Sequence, residues 1–394
     1  MSETLSGRVP LFLLAAGGTG GHVFPAEALT RELKGRGAKV AFVTDNRGNK
    51  FSDELAVPVY RVKAAPLGKG LRRLFNIVKM GIGVMQAKLL LHRLKPAAVV
   101  GFGGYPSVPL LYAAAKAHIP IILHEQNAVL GRANKAMLPM AKVLATSFPK
   151  VQGITGAPRA RVVQTGNPVR PAFATLRATP YPEMTEDGPI RLLVLGGSLG
   201  SATISQVVPK ALALLPESMR RRIIIAQQCR PEYREDARAA FAAAGVVAEV
   251  SPFFKDVPER MAQAHLIIGR SGGGAIAELT AIGRPSILIP FPHGHAGEQK
   301  ANAEALAQAG GAWLIPEEAF TPEALAVRLE SLFALENALS KTAMAARAWG
   351  TIAAADELAD CLYEAVDLPT PKSMQKKAHC ADTSGSAFSY TTKD

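Results

Sequence analysis

At 394 residues, with 48% hydrophobic and 20% charged side chains, the chain is long enough for two domains and too apolar to be intrinsically disordered. Forty-five basic against 32 acidic residues leave a formal charge of +13, which favours anionic partners such as nucleotides or an anionic membrane face. Nucleic acid is excluded because no helix-turn-helix, zinc-finger or RNA-binding signature accompanies the charge. The three cysteines, Cys229, Cys361 and Cys380, lack metal spacing and fit a reduced cytoplasmic protein.

The first residues, Met1 to Ala16, do not read as a signal peptide, since glycines rather than a cleavage site follow the short apolar run. That run, Val9–Ala16, is a buried strand leading into Gly17-Gly18-Thr19-Gly20-Gly21-His22 and a helical pattern. Lys39–Thr44 is the next strand. From Glu54 to Lys95, basic residues (Lys63, Lys69, Arg72, Arg73, Lys79, Lys88) interleave with Leu71, Leu74, Phe75, Ile77, Val78, Ile82 and Met85. Such a surface either packs on its own domain with its lysines solvated or lies in a membrane interface. Gly81 and Gly83 argue against one continuous helix there. Ala97–Val100 is a strand ending in a second glycine turn, Gly101-Phe102-Gly103-Gly104-Tyr105. The uncharged stretch 96–115 has spanning length, but Pro106, Pro109 and its glycines divide it, so no segment reads as membrane-spanning. Pro120–His124 and Lys142–Thr146 complete the first set of strands, and a proline-rich passage, Asn167 to Ile190, reads as a linker.

The alternation then restarts with Arg191–Leu195, Arg222–Ala226, Val246–Val250, His265–Ile268, Ser286–Pro290 and Ala312–Ile315. Glycine turns follow two of these strands, at Gly196-Gly197-Ser198-Leu199-Gly200 and at Ser271-Gly272-Gly273-Gly274-Ala275-Ile276-Ala277-Glu278. Four such turns at strand carboxyl ends predict an α/β protein of two Rossmann-like domains with parallel sheets facing a shared cleft. The boundaries read as 1–167, completed by a C-terminal helix over 349–366, and 168–348. The polar, basic segment 367–394 reads as a disordered tail.

The turns also suggest chemistry. Three glycines let the backbone approach a ligand, and the helix they open directs free N–H groups at an anion. Glu278, about one turn in, can accept hydrogen bonds from sugar hydroxyls, so this segment predicts a pocket for a sugar diphosphate. The first turn lacks the third glycine of a dinucleotide fingerprint, and no P-loop is present. His22, at a helix start, is a candidate general base kept neutral by its position, or else a helix cap or substrate contact. His124-Glu125-Gln126-Asn127 place four polar groups at a buried strand end, where they need a ligand or a polar network. Glu125 is the second candidate base and Asn127 a sugar partner. Glu298 and Gln299, beside His293 and His295, read better as sugar partners than as metal ligands, and Arg170 could pair with a phosphate.

At Gly17–Pro25, Gly101–Pro106, His124–Asn127, Gly166–Arg170, Gly196–Gly200, Ser271–Glu278 and around Gln299, the chain closely resembles the MurG family, bacterial glycosyltransferases that add N-acetylglucosamine to lipid I. The segments keep the family's order over roughly 9–310, and similarity continues to about 365. The resemblance implies a GT-B fold, no cofactor and no metal. It implies inverting transfer from UDP-N-acetylglucosamine to the C4 hydroxyl of undecaprenyl-diphospho-N-acetylmuramyl-pentapeptide (lipid I). It further implies that Thr19, Gly20, Gly21 and Asn127 contact the donor's sugar or diphosphate, and that Arg170 and Ser198 hold phosphate oxygens. Phe254 would border the uracil, Gly273, Gly274, Ala275, Ile276, Ala277 and Glu278 would cradle diphosphate and ribose, and Gln299 would hold the sugar. Leu199, Ala275 and Glu298 depart from the family pattern, which frequently has Gln, Thr and Gln. A lipid-linked acceptor would also favour the membrane reading of 68–85 and a peripheral place on the cytoplasmic face of the inner membrane. UDP-N-acetylglucosamine 2-epimerases share this architecture and are the competing enzyme class, with a non-catalytic nucleotide-binding protein as a third reading.

Overall fold

The computed structural model describes residues 9–17, 20–45, 55–66, 71–156, 159–197 and 200–370. Alternating apolar strands and helices form two parallel sheets. The first contains β1 (Leu11–Ala15), β2 (Lys39–Thr44), β3 (Val59–Arg61), β4 (Ala98–Gly101), β5 (Ile121–Glu125), β6 (Val143–Thr146) and β7 (Arg161–Gln164), in the order β3-β2-β1-β4-β5-β6-β7. The second contains β8 (Ile190–Leu195), β9 (Ile223–Gln228), β10 (Val247–Ser251), β11 (Leu266–Gly269), β12 (Ser286–Leu288) and β13 (Ala312–Leu314), in the order β10-β9-β8-β11-β12-β13. Both sheets reverse their winding beside the first strand, and register fixes what meets there. Ala15 pairs with Gly101, and Leu195 with Gly269. Each sheet therefore delivers two glycine turns, side by side, to its carboxyl edge, where open α/β sheets bind ligands.

The central strands are buried on both faces, as the continuous apolar runs of β1, β4 and β11 and of Leu192–Val194 in β8 require. The sequence reading missed β3 and β7. Both are short edge strands with largely exposed residues, so neither carries a buried-strand signal.

The last of the described helices, Ala354–Ala365, returns to the first domain and places Leu358, Leu362 and Tyr363 in its core with Phe12, Phe42 and Val143. Arg36, buried against it, pairs with Asp356 and Asp360. Lys142 Nζ donates to the Ala365 carbonyl at 2.7 Å. The passage 167–190 is more than a spacer. It forms a helix, Pro171–Leu176, whose Phe173 is fully buried, and it is strapped to the second domain by arginines. Arg177 donates to the carbonyls of Thr280 and Ala281, and Arg284 to that of Pro180.

Residues Leu71–Leu94 form one continuous helix, contrary to the expectation from Gly81 and Gly83. Gly83 has a packing role there: a Cβ would sit 1.8 Å from the Lys63 carbonyl oxygen, so glycine lets the helix lie directly on the backbone of its own domain. Ala87 and Leu91 are buried on that side. The outer side exposes Phe75 (71%), Met85 (66%) and Leu89 (70%), with Leu74, Val78 and Ile82 between them. By length and composition the stretch 73–94 is the one described helix able to cross a membrane; its second half is docked on the domain through Gly83, Ala87 and Leu91, while its first half is largely exposed. The segment 371–394 and the turn residues Gly18, Thr19, Ser198 and Leu199 lie outside the described residues.

Candidate active site

The two carboxyl edges face each other, and the contacts across the cleft are direct. At the end of β11 the helix Gly273–Ile282 begins with glycine, and its first residue presses against the loop after β5. A Cβ on Gly273 would lie 2.1 Å from the Gln126 carbonyl oxygen and 3.1 Å from Asn127 Oδ1. Only glycine permits this approach. Asn302, fully buried in the helix Glu298–Gln308, bridges the same point. Its Oδ1 accepts from Ala128 N–H at 2.7 Å, while its Nδ2 donates to Asn127 Oδ1 at 3.0 Å and to the Ser271 carbonyl at 2.9 Å. On the other side Arg170 Nη2 meets Glu278 Oε1 at 2.9 Å, and the guanidinium stacks 4.8 Å from the Phe24 ring centroid.

The polar strand end of β5 divides into two tasks. Glu125 is 1% exposed, and every acceptor site is used within its own loop. Its Oε1 accepts from Asn127 N–H (3.1 Å) and, more weakly, Asn127 Nδ2 (3.4 Å). Its Oε2 accepts from Gly131 N–H (2.9 Å) and Asn134 Nδ2 (2.8 Å). Burial pushes the carboxyl's pKa up, and these four donors pull it back. These bonds tie the carboxylate to the loop that carries Asn127. His124 is likewise tied: Gln126 Nε2 donates to its Nδ1 at 2.9 Å, so its Nε2–H donates to the Gly166 carbonyl at 3.0 Å. Burial lowers its pKa to about 4, partly opposed by the Gly166 carbonyl, so the ring stays neutral.

His22 differs. Its ring packs against the turn after β4, with Nε2 3.4 Å from where a Cβ on Gly103 would be. Its Nδ1 is cut off from solvent and has no hydrogen-bond partner. Desolvation lowers its pKa below 6.5, with the Gly17 backbone opposing. A neutral imidazole with an unused nitrogen sits at the start of the helix Gly20–Gly35.

The other expected site residues separate by position. Gly20, Gly21, Arg170, Gly274 and Glu278 line one small cavity between the domains, of about 20 Å³. Glu278's pKa is raised by burial and held down by Arg170, so these two residues meet each other where separate ligand contacts were expected. Ile276 points into the core, leaving its backbone as what it can offer a ligand, while Ala275 and Ala277 are partly exposed. Gln299 accepts from Phe291 N–H through Oε1 at 3.1 Å, which leaves its amino group as the remaining donor. Phe254 is buried beneath Arg260, 4.3 Å from guanidinium to ring centroid, whereas Phe253 is 67% exposed. Among the described residues no group of three or more His, Cys, Asp or Glu converges as a metal-holding set.

Asn302 and Asn134 were missed by the sequence reading. Each is the one asparagine in its helix, a poor helix-forming residue with alanine beside it, and that mismatch was the available signal.

Two parallel-sheet domains closing on a glycine-rich cleft define the GT-B fold. The models for the glycosyltransferase family 28 N-terminal domain and C-terminal domain match residues 12–146 and 191–360. Over 372 residues the chain is 52% identical to the UDP-N-acetylglucosamine--N-acetylmuramyl-(pentapeptide) pyrophosphoryl-undecaprenol N-acetylglucosamine transferase of Rhodospirillum centenum, covering 93% of this chain and 98% of that one. The crystal structure of Acinetobacter baumannii MurG superposes with a TM-score of 0.74 at 29% identity, covering 91% of this chain and 100% of that one. The chain belongs to the MurG family of N-acetylglucosaminyltransferases, enzymes of peptidoglycan synthesis. A putative UDP-N-acetylglucosamine 2-epimerase from Listeria monocytogenes reaches a TM-score of 0.64 at 17% identity, over 92% of this chain and 99% of that one, which is likeness of fold alone. The epimerase alternative is not favoured.

Proposed function

We propose that this enzyme moves N-acetylglucosamine from UDP-N-acetylglucosamine to the C4 hydroxyl of lipid I, forming lipid II with inversion at the sugar. The observation that carries this reading is the glycine-opened helix Gly273–Ile282 pressed against the Gln126–Asn127 loop, which puts an anion-binding helix start beside a sugar-binding asparagine. In the proposed step His22 takes the proton of the acceptor hydroxyl as its oxygen bonds to the donor's anomeric carbon. The bond from that carbon to UDP breaks, and the leaving diphosphate is stabilised by the helix N–H groups and Arg170. Asn127, with its Oδ1 held by Asn302 and one amino hydrogen weakly given to Glu125, has its other amino hydrogen for the sugar, and Gln299 offers another donor. Thr19 and Ser198 are assigned to the donor by the family's motifs alone. We divide the chain at 167/168, with 349–366 returning to the acceptor domain. Supplied with labelled UDP-N-acetylglucosamine, the enzyme releases UDP only when lipid I is present. Epimerised sugar without acceptor would overturn the reading.

The enzyme works on the cytoplasmic face of the inner membrane, held peripherally by the helix Leu71–Leu94. Phe75, Val78, Ile82, Met85 and Leu89 recur at helical spacing on one exposed side, flanked by Arg73, Lys79 and Lys88. Each cation near an anionic leaflet contributes about 1 kcal/mol, and salt screens it. Flotation with anionic liposomes should fall as salt rises, and the variant Arg73→Glu/Lys79→Glu/Lys88→Glu should lose most binding at low salt. Phe75→Ser/Leu89→Ser should weaken binding at every salt concentration. Unchanged flotation of both variants would make this face merely solvated.

A further inference from the structure

Asn167 is 5% exposed, yet neither its Nδ2 nor its Oδ1 has a hydrogen-bond partner. A buried carboxamide with both ends unused is costly, so native proteins keep one where something else completes it. Its backbone, by contrast, is fixed from several directions. The preceding Gly166 has a φ of 79°, its N–H donates to Thr146, and its carbonyl accepts from His124 Nε2 and Thr165 Oγ1. A Cβ on Gly166 would stand 2.5 Å from Thr351 Cγ2, so the two chain crossings between the domains touch at this point. Pro168 restricts Asn167 itself to extended backbone. A rigid frame thus presents an amide that the protein does not use.

Asn167 lines the interdomain cavity together with Gly20, Gly21, Arg170, Gly274 and Glu278. Two helix starts, Gly20–Gly35 and Gly273–Ile282, and one guanidinium meet there. Glu278 balances the guanidinium, so the two helix starts tip this surrounding toward an anion, and a carboxamide adds one donor and one acceptor. We propose that Asn167 is a substrate-binding residue that grips a sugar diphosphate at the junction of the domains. Its Nδ2 donates to a phosphoryl oxygen, and its Oδ1 accepts from a hydroxyl or amide N–H of the attached sugar. The cavity is too small for that group as it stands, so binding separates Arg170 from Glu278 and gives the guanidinium to the phosphate. The inference rests on the transferase reading, in which both donor and acceptor carry a sugar diphosphate.

The test uses the full chain with Asn167→Ala and Asn167→Asp. Calorimetry measures UDP-N-acetylglucosamine affinity, steady-state kinetics measure KM for a soluble lipid I analogue, and thermal unfolding gives Tm. Loss of a group the fold does not use should leave Tm level or raised in Asn167→Ala. If the donor supplies the diphosphate, its Kd should rise about tenfold or more in Asn167→Ala. If the acceptor does, the donor Kd holds while the acceptor KM rises about as much. Asn167→Asp keeps the shape but sets an anion against an anion, so the same constant should worsen further than in the alanine variant. Affinities for both substrates within about twofold of wild type would overturn the proposal, as would a Tm lowered by about 4 °C or more in both variants, which marks a structural amide. Wild-type enzyme that binds UDP-N-acetylglucosamine but fails to transfer it to the lipid I analogue would instead overturn the transferase reading.

Discussion

Replacing Gly273 by alanine is expected to cut transfer by about a hundredfold while the protein still folds. The added Cβ would have to occupy a point 2.1 Å from the Gln126 carbonyl oxygen and 2.8 Å from its carbon, closer than any real contact. Both atoms are backbone in a loop that Glu125 ties down through Asn127, Gly131 and Asn134, so the loop cannot give way cheaply. The domains must therefore part by about an ångström, a misplacement of the size that commonly costs two orders of magnitude in rate. Parting also stretches the bonds from Asn302 to Ala128 and Asn127. Each domain keeps its own core, and the thermal transition should hardly move. Gly35→Ala is the control, because it lies at the far end of its helix from the cleft and nothing is within 4 Å of its Cβ position. The comparison is kcat/KM for the two variants: equal, small losses in both would show that closure at Gln126 does not limit the reaction.

That contact also marks how far the sequence could be read. The glycine turns were legible because strand, glycine and helix follow one another in the chain, and register then brought them together: Ala15 beside Gly101 and Leu195 beside Gly269. The family's motifs carried the substrate reading further than residue pattern alone. What was not legible depended on contacts distant in sequence. Asn302 reaches Asn127 across 175 positions, and Arg170 reaches Glu278 across 108. Glu125 is a candidate base because a carboxylate at a strand end suits proton transfer. Only the folded loop reveals that Gly131 and Asn134, six and nine residues on, occupy its oxygens. Gly83 misled for the same reason. Propensity counts a glycine against a helix, while the helix Leu71–Leu94 needs it to lie against the Lys63 carbonyl.

Loss of the His22 imidazole should have the largest effect of all, a fall in kcat of about 10²–10⁴-fold in His22→Gln, the usual contribution of a general base. Its free Nδ1, its partial burial and its place at the start of the helix Gly20–Gly35 suit it to take a proton, and burial holds its pKa below 6.5. The sign of the pH dependence follows. A base works in its neutral form, so lowering its pKa extends activity toward acid, and activity is lost as pH falls through the folded value. The acid limb of kcat/KM should therefore have its midpoint below 6.5 in wild type, and that limb should disappear in His22→Gln. Glu125→Gln should also be slow, since a glutamine amino group would face the donors of Gly131 and Asn134 and loosen the loop that carries Asn127. Its acid limb, however, should keep the wild-type midpoint, because the titrating group is untouched. If His22→Gln instead loses less than about tenfold in kcat and keeps the limb, while Glu125→Gln abolishes it, the two residues exchange roles and His22 becomes a substrate contact.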